Sequence, residues 1–324
     1  MLKLKMSTFV ALYIIMGTKR NGNENLHPNN KHQQGYNFAE LCEVYPELQE
    51  FVFVNKYQTE TIYFANPEAV KKLNSALLFK HYNIKFWDFP DDNLCPPIPG
   101  RVDYIHYLAD LLKVSGIAEN AKVLDIGMGA NCIYPLLGNA VYGWQFVGTD
   151  IDKKSIDRAE NILKKNKLID VIKLKQQADS IHIFEGILSG SDKFSASMCN
   201  PPFYKSQKEA MEANARKLEG LGIGDDLVTR NFSGKQQELW YKGGEKAFLH
   251  TYLYESSMFK TQCFWYSSLV SKKENVEGMC ESLKKLGATD VKIIPMHQGN
   301  KITRIVAWTF LTDQEQKDWK SEEK

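Results

Sequence analysis

Asn200, Pro201, Pro202 and Phe203 form the short motif of this chain whose residue types best suit a group transfer. The amide oxygen of Asn200 and the backbone carbonyl of Pro201 can each accept a hydrogen bond from an exocyclic amine. Such bonds orient its lone pair toward an electrophile. The two prolines restrict the backbone before a substrate arrives, and the ring of Phe203 offers a stacking surface for an extruded base. The motif predicts transfer to a planar nitrogen.

Several substrates carry such a nitrogen, and the motif alone does not choose among them. The N6 amine of adenine, the amine of cytosine and the side-chain amide of a protein glutamine all present hydrogens to the same two acceptors. A rigid Pro-Pro turn with a packed Phe203 is the purely structural alternative. The motif therefore narrows the reaction to an sp² nitrogen and leaves the molecule open.

A glycine turn earlier in the chain indicates a cofactor that contains a ribose but no phosphate. Asp125, Gly127 and Gly129 form a D-x-G-x-G turn after a predicted strand, and Asp150 ends the next one. A carboxylate at that place holds ribose hydroxyls in nucleotide-binding α/β folds. The third glycine of a dinucleotide loop is missing, and Asp125 would repel a pyrophosphate. S-adenosylmethionine satisfies these conditions, because its ammonium group can pair with an acidic residue near the turn.

Strands that alternate with helices must position these residues. Such alternation predicts a mostly parallel, doubly wound α/β sheet covered by helices on both faces. The last three strands lie close enough in sequence for an antiparallel pair, which predicts a reversed edge strand. The predicted strands are 122–126, 145–151, 171–176, 194–199, 262–270, 291–295 and 303–311. The main predicted helices are 101–113, 155–166, 245–259 and 274–286.

The beginning of the chain predicts no folded element. Residues 1–24 read as a flexible or mis-started extension, since Met6 and Met16 offer alternative starts. The apolar run from Phe9 to Met16 is too short to cross a bilayer.

Proline marks the expected domain border. A helix is predicted to begin at Pro67, whereas Pro96–Gly100 is predicted to be non-helical. We therefore expect an accessory segment at 25–100, a main domain at 101–312 with a substrate loop at about 204–244, and a polar tail at 313–324.

The composition argues against some functions. A net charge of +2 means that any contact with RNA requires a local basic surface. Six scattered cysteines without a C-x-x-C pair argue against a zinc site and a disulfide framework, and they fit a reducing cytoplasm. We expect a cytoplasmic protein without a metal or a membrane span.

From about Asn25 to Leu311 the chain resembles the bacterial ribosomal RNA large subunit methyltransferase F family. The matching segments cover nearly the whole chain. Two of them are specific to this group, the proline-rich segment Leu94–Arg101 and the Ile-Tyr-Pro-Leu-Leu-Gly segment Ile133–Gly138. The segments are Asn25–Pro28, Leu94–Arg101, Tyr104–Tyr107, Asp125–Gly127, Ile133–Gly138, Cys199–Phe203, Glu238–Trp240, Gly243–Glu245, Ser268–Asn275 and Ala307–Phe310.

The resemblance implies a class I methyltransferase fold, S-adenosylmethionine as cofactor and N6-methylation of an adenine in 23S rRNA, free or in an assembling large subunit. It implies that Arg101 pairs with the methionine carboxylate, that Asp150 binds the ribose and that Asp179 contacts the cofactor's adenine. Met128 and Asn131 stand where the family usually has Thr and Ser. Since Asn131 can still cap the following helix, we expect altered loop packing with cofactor binding retained.

Other functions remain open at this point. They are N6-adenine methylation of another structured RNA, glutamine-N5 methylation of a translation factor, and non-catalytic binding of RNA or cofactor.

Basic residues that could contact RNA follow the motif and also occur in the accessory segment. They are Lys205, Lys208, Arg216, Lys217, Arg230, Lys235, Lys242 and Lys246, and then Lys71, Lys72, Lys80 and Lys85.

Overall fold

Strands and helices alternate along the chain, as the sequence predicts. The computed structural model describes residues 26–90, 93–117, 120–219, 239–298 and 301–322. The strands in these ranges are β1 (Val52–Val54), β2 (Glu60–Ile62), β3 (Lys122–Ile126), β4 (Gln145–Asp150), β5 (Ile172–Gln176), β6 (Phe194–Cys199), β7 (Cys263–Val270), β8 (Asp290–Gln298) and β9 (Lys301–Thr309). The helices are α1 (Phe38–Val44), α2 (Pro67–Tyr82), α3 (Ile98–Val114), α4 (Ile133–Tyr142), α5 (Lys153–Lys165), α6 (Gln207–Glu219), α7 (Gly244–Ser256), α8 (Lys273–Leu286) and α9 (Asp313–Glu322), with a 3₁₀ helix at Pro46–Phe51.

Seven of these strands form one sheet in the order β5-β4-β3-β6-β7-β9-β8. The strands from β5 to β7 are parallel, and β9 runs antiparallel to both of its neighbours. The predicted doubly wound α/β class with a reversed strand is therefore confirmed. The reversed strand β9 lies one place inside the edge, because β8 pairs with its outer side. The chain leaves β3 and β6 toward opposite halves of the sheet, so the crevice at their carboxyl ends is the expected ligand site.

Two hydrophobic cores cover the two faces of this sheet. Along β9, Ile305 and Ala307 belong to one core and Val306 and Trp308 to the other, as the two-residue period of a strand requires. Helices α3, α4 and α5 contribute to the first core, and α7 and α8 contribute to the second. Because every residue of β7 is buried, its sequence is apolar or hydroxylic throughout.

The start of α3 corrects one prediction. Pro96–Gly100 was expected to be non-helical, yet α3 begins at Ile98. Pro99 lies in the first helical turn, where the N–H that proline lacks would have no helical partner. The Arg101 amide donates the first helical hydrogen bond, to the Pro97 carbonyl at 3.3 Å. The proline-rich stretch thus fixes the backbone of Arg101.

The N-terminal segment packs against the main domain as part of one core. Leu41, Leu48 and Leu73 are buried in the same cluster as residues of α3 and α4. The backbone N–H of His27 donates to the buried carboxylate of Asp103 at 3.1 Å. The border predicted at residue 100 therefore lies inside a continuous packing unit.

Two other predicted segments contain helices in the described ranges. The predicted polar tail forms α9, whose Trp319 is buried and contacts the ring of Phe264 edge-on. The predicted substrate loop contains α6, while its residues 220–238 and the extension at 1–24 lie outside the described residues. In the described ranges no helix is long and apolar enough to cross a membrane.

Met128, where the resembled family usually has Thr, packs against β4. Its side chain is 3% exposed, and a Cβ placed on Gly148 would lie 2.5 Å from its sulfur. Gly148 therefore provides the space that the longer side chain fills. The altered loop packing relative to the family stays a prediction.

Replacing Gly148 with Ala should lower the free energy of unfolding by about 1–3 kcal/mol, the range for overpacking a filled site. Urea unfolding measures the effect, with Gly190→Ala as control because a Cβ there meets nothing within 4 Å. Adding Met128→Ala removes the clashing atoms, so the double variant should be more stable than the two single losses predict. A loss of stability in the double variant equal to the sum of the two single losses would contradict this packing.

Candidate active site

One cavity at the carboxyl ends of β3, β4 and β6 brings the two sequence motifs together. The registers of β3 and β6 align Ile126 with Cys199, so the glycine turn and the Asn-Pro-Pro-Phe motif leave the sheet side by side. Residues predicted for the site that line the cavity are Arg101, Gly127, Gly129, Asp150, Asn200, Pro202 and Phe203.

The glycine turn is closed against the end of β4. Gly127 and Gly129 have φ values of +70° and +68°, in the left-handed region that favours glycine. The N–H of Gly129 donates to Oδ2 of Asp150 at 3.0 Å, and the N–H of Asp152 donates to Oδ1 at 2.9 Å. Burial raises the pKa of Asp150. Because each carboxylate oxygen can accept more than one hydrogen bond, Asp150 can also accept from ribose hydroxyls.

Arg101 is held against an aromatic ring, and its Nε–H is left without a partner among the described residues. Its Nη1 donates to the hydroxyl of Tyr134 at 2.7 Å, and its Cζ lies 5.4 Å from the centre of the ring. The Nε atom is buried without a hydrogen-bond partner among the described residues. Buried donors are normally satisfied, so this guanidinium is suited to an anionic ligand group.

Asp125 directly precedes the lining residues Ile126 and Gly127 in the chain and is also unsatisfied. Both carboxylate oxygens are buried without a partner in the described part of the chain. Burial, followed by the nearby charge of Asp150, raises the pKa of Asp125 to about 8, and Arg101 opposes this shift. Unsatisfied buried groups of opposite sign are suited to a zwitterion such as an α-amino acid. The methionine portion of S-adenosylmethionine therefore fits these residues.

The Asn-Pro-Pro-Phe motif is fastened to a segment far away in sequence. The N–H groups of Phe203 and Tyr204 both donate to the carbonyl of Leu239, at 3.1 and 3.0 Å, and Tyr241 donates back to Tyr204 at 3.0 Å. Gly244 has a φ of +72°, and a Cβ there would lie 2.9 Å from the Cγ of Lys205. These contacts bring aromatic side chains to the cavity beside the half-buried Phe203.

Sequence reasoning missed several lining residues. Tyr134, Gln177, His182, Trp240 and Tyr241 all face the cavity. Tyr134 and Trp240 lie in the Ile-Tyr-Pro-Leu-Leu-Gly and Glu-Leu-Trp segments that carry the family resemblance. That resemblance was the feature of the sequence that could have identified them as site residues. No local pattern marks Gln177 or His182, because a loop between β5 and β6 brings them to the cavity.

Three predicted residues do not line the cavity. Asp125 and Pro201 are buried, and Asp179 is exposed. Oδ1 of Asp179 accepts the N–H of Ile181 at 3.0 Å within its own turn. Asn131 behaves as expected at the start of α4, where its side-chain oxygen accepts the N–H of Ile133 at 3.1 Å.

The lysines predicted to form a second RNA surface are largely neutralised. Lys71 pairs with Asp88 at 2.7 Å. Lys72 pairs with Glu47, and Lys80 pairs with Glu40. Of the basic residues after the motif, Arg230 and Lys235 lie outside the described residues.

Among the described residues no cluster of three or more His, Cys, Asp or Glu side chains could hold a metal ion.

The fold and this site define a class I methyltransferase. Residues 20–312 match the family model Methyltransf_10, described as RNA methyltransferase. A relative from Flavobacterium psychrophilum is 50% identical over 306 residues, which cover 91% of this chain and 96% of the relative. A relative from Aeromonas salmonicida is 48% identical over 302 residues, covering 92% and 95%. Both are named ribosomal RNA large subunit methyltransferase F, and the chain belongs to that family of RNA methyltransferases.

Solved structures agree with this assignment. The human METTL16 catalytic domain in complex with MAT2A 3′UTR hairpin 1 has a TM-score of 0.77 and 30% identity, and covers 90% of this chain and 97% of its own. The N-terminal domain of human METTL16 in complex with SAH has a TM-score of 0.72 and 27% identity, with coverages of 89% and 99%. The predicted fold and enzyme class are thus confirmed.

The pKa of Asp125 predicts a pH dependence of stability. A carboxyl with a raised folded-state pKa carries no penalty below about pH 4. Between about pH 4 and about pH 8 the free energy of unfolding falls, by at most about 1.4 kcal/mol per pH unit, because the unfolded chain ionises this carboxyl more readily than the folded one does. Asp125→Asn should remove this slope, so that the variant gains stability relative to the wild type as the pH rises. Urea unfolding between pH 4 and 9 measures the difference, with the exposed Asp157→Asn as control. Parallel curves for the Asp125 variant and the wild type would contradict the burial of a charge.

Proposed function

We propose that this protein uses S-adenosylmethionine to methylate the N6 amine of one adenine in 23S rRNA. The observation that carries the proposal is that the unsatisfied Arg101, the Asp150 carboxylate and the Asn200–Phe203 motif share one cavity. The names of the relatives support the choice of a large-subunit ribosomal RNA. Such a substrate also favours action in the cytoplasm.

The cofactor fits the part of the cavity that is formed by Arg101, the glycine turn and Asp150. The free Nε of Arg101 is suited to the methionine carboxylate, and the Asp125 carboxyl, whose oxygens have no hydrogen-bond partner among the described residues, can accept a hydrogen bond from the ammonium group. Gly127 and Gly129 let the backbone approach the ligand, and Asp150 accepts from the ribose. When bound, the cofactor supplies an electrophilic methyl group on a sulfonium sulfur.

The substrate base fits the part of the cavity that is formed by the Asn-Pro-Pro-Phe motif and the neighbouring aromatic side chains. The amide oxygen of Asn200, which lines the cavity, is suited to accept one N6 hydrogen, and the carbonyl of Pro201, a buried residue outside the lining, stays the predicted acceptor of the other. The two bonds would aim the lone pair of the amine toward the methyl group. Phe203, Trp240 and Tyr241 provide ring surfaces for a base that has left its stack. The nitrogen can release its proton after the transfer, so no strong base is required beside it.

The alternatives fit this cavity less well. A glutamine side chain has no aromatic face, and an aromatic wall beside Asn200 would add nothing to its recognition. A protein that only binds cofactor or RNA has no need of a rigid pair of amine acceptors. Another structured RNA shares the chemistry of the site, and only the names of the relatives favour ribosomal RNA over it.

Replacing Asn200 with Ala should reduce the methyl-transfer rate by about 100-fold or more, the usual effect of losing one preorganised polar group in an active site. Cofactor affinity should change little, because Arg101 and Asp150 are untouched. Nucleoside mass spectrometry of 23S rRNA from a deletion strain should show the loss of one N6-methyladenosine. The intact gene should restore it, and a copy carrying Asn200→Ala should not.

Asn200→Asp is the matched control for this experiment. It retains the size of the side chain and its acceptors, so loss of activity in the Asn200→Ala variant with retention in the Asn200→Asp variant isolates the acceptor role. An unchanged rRNA profile in the deletion strain would exclude the ribosomal substrate. Equal loss of cofactor binding and of transfer would exclude the assigned role of Asn200.

The N-terminal segment is proposed to guide the RNA, through the hairpin of β1 and β2. Its side chains Phe53, Tyr57, Tyr63 and Phe64 are between 37% and 73% exposed. The rings of Phe53 and Tyr63 lie stacked with their centres 4.9 Å apart. Exposed aromatic rings on a hairpin are suited to unpaired bases, and each stacked base contributes about 1–3 kcal/mol. This surface replaces the paired lysines as the expected contact.

Tyr57→Ala combined with Tyr63→Ala should weaken binding of a 23S rRNA fragment by about tenfold or more, because two stacking rings are lost. Filter binding at fixed salt measures the affinity. Binding of S-adenosylhomocysteine should stay unchanged. Val114→Ala, at a similarly exposed apolar side chain, is the control. RNA affinity equal to that of the wild type would show that the hairpin does not contact RNA.

A further inference from the structure

Glu255, near the end of α7, is a buried carboxylate that organises a loop elsewhere in the chain. The residue is 3% exposed. Its Oε2 accepts the backbone N–H groups of Ile183, Phe184 and Glu185 at 2.9, 2.7 and 3.2 Å. Its Oε1 lies 3.1 Å from Nδ1 of His182. One side chain therefore satisfies four consecutive residues of the segment between β5 and β6.

These hydrogen bonds hold both partners in place. A buried carboxylate is tolerated only when hydrogen bonds replace its hydration, and successive backbone N–H groups form a concave site for an anion. No Lys or Arg side chain of the described residues pairs with Glu255 within 4.0 Å. The loop thus depends on Glu255 for its conformation, and Glu255 depends on the loop for its burial.

The organised loop forms one wall of the cavity. His182 and Ile183 line it, together with Gln177 and Ser180 from the same segment. Gln177 follows β5 directly, and its N–H donates to the carbonyl of Asp150 at 2.9 Å. The wall therefore lies at the Asp150 end of the cavity, where the proposed function places the nucleoside of the cofactor.

His182 lines this end of the cavity, and its Nδ1 is engaged by carboxylates, at 3.1 Å from Oε1 of Glu255 and 3.3 Å from Oε2 of Glu185. Because Nδ1 faces Glu255, Nε2 is the ring nitrogen left for a ligand. The hydrogen bond to Glu255 raises the pKa of His182, and the nearby carboxylates of Glu185 and Asp179 act in the same direction. A carboxylate that orients a histidine in this way fixes the tautomer and the plane of its ring.

We propose that His182 contacts the nucleoside portion of S-adenosylmethionine and that Glu255 is the residue that positions it. This inference rests on the proposed function, since it names the contact at the nucleoside end of that cofactor site. It replaces Asp179 in the role that the resemblance implied, because the Asp179 side chain is exposed and accepts within its own turn.

The test compares two ligands that share the nucleoside, adenosine and S-adenosylhomocysteine, by titration calorimetry of the full chain. His182→Ala should weaken both ligands by the same factor, about tenfold, as expected for the loss of one hydrogen bond from a polar or charged group. Arg101→Ala should weaken only S-adenosylhomocysteine, because adenosine has no carboxylate. Asp179→Ala should leave both affinities unchanged.

Two further substitutions separate contact from folding. His182→Asn places an amide where Nδ1 lies, so it can keep the bond to Glu255 while losing the ligand contact, and it should bind as weakly as His182→Ala. His182→Gln reaches the position of Nε2 and should recover part of the affinity. Glu255→Gln preserves the volume but not the charge, and it should weaken both ligands by the same factor.

The outcomes distinguish this inference from the proposed function. Wild-type affinities in the His182→Ala and Glu255→Gln variants would overturn the inference and leave the cofactor assignment intact. Weakened adenosine binding in Asp179→Ala but not in His182→Ala would also overturn it, in favour of Asp179. Failure of the wild-type chain to bind S-adenosylhomocysteine would overturn the cofactor assignment and this inference with it.

Discussion

The adjacency of β3 and β6 at the centre of the sheet is the constraint on which the site depends. Their parallel register ends both strands at the same level, so Gly127 and Asn200 begin their loops next to each other. The crossover from β5 back to β6 passes to the other face and opens the crevice between them. Every other feature of the site either lines this crevice or holds a lining residue in place.

The charges in this crevice make the free protein less stable than it would otherwise be. Asp125 is buried without a hydrogen-bond partner, and Arg101 keeps an unused donor, among the residues described. Groups in this condition destabilise a fold by about 1–3 kcal/mol each. A zwitterionic ligand would satisfy both groups.

Helix α7 connects the separate parts of the site. It begins directly after the segment that pairs with Phe203 and Tyr204. In its middle, the hydroxyl of Tyr252 is 2.8 Å from that of Ser197 in β6. Near its end, Glu255 holds the loop that carries His182. One helix therefore supports the Asn200–Phe203 motif, strand β6 and the loop that carries His182, which favours a cavity with a single well-defined shape.

The amino-acid sequence alone determined the fold class, the glycine turn, Asp150 and the Asn200–Phe203 motif. Each of these depends on residue type and on spacing within one strand and its following loop. The helical start at Ile98 was misread because proline interrupts a helix only beyond its first turn. Only the tertiary structure revealed Tyr134 beneath Arg101, Trp240 beside the motif and Glu255 behind His182. These contacts join residues far apart in the chain, and they exist only once the packing of the sheet brings the elements together.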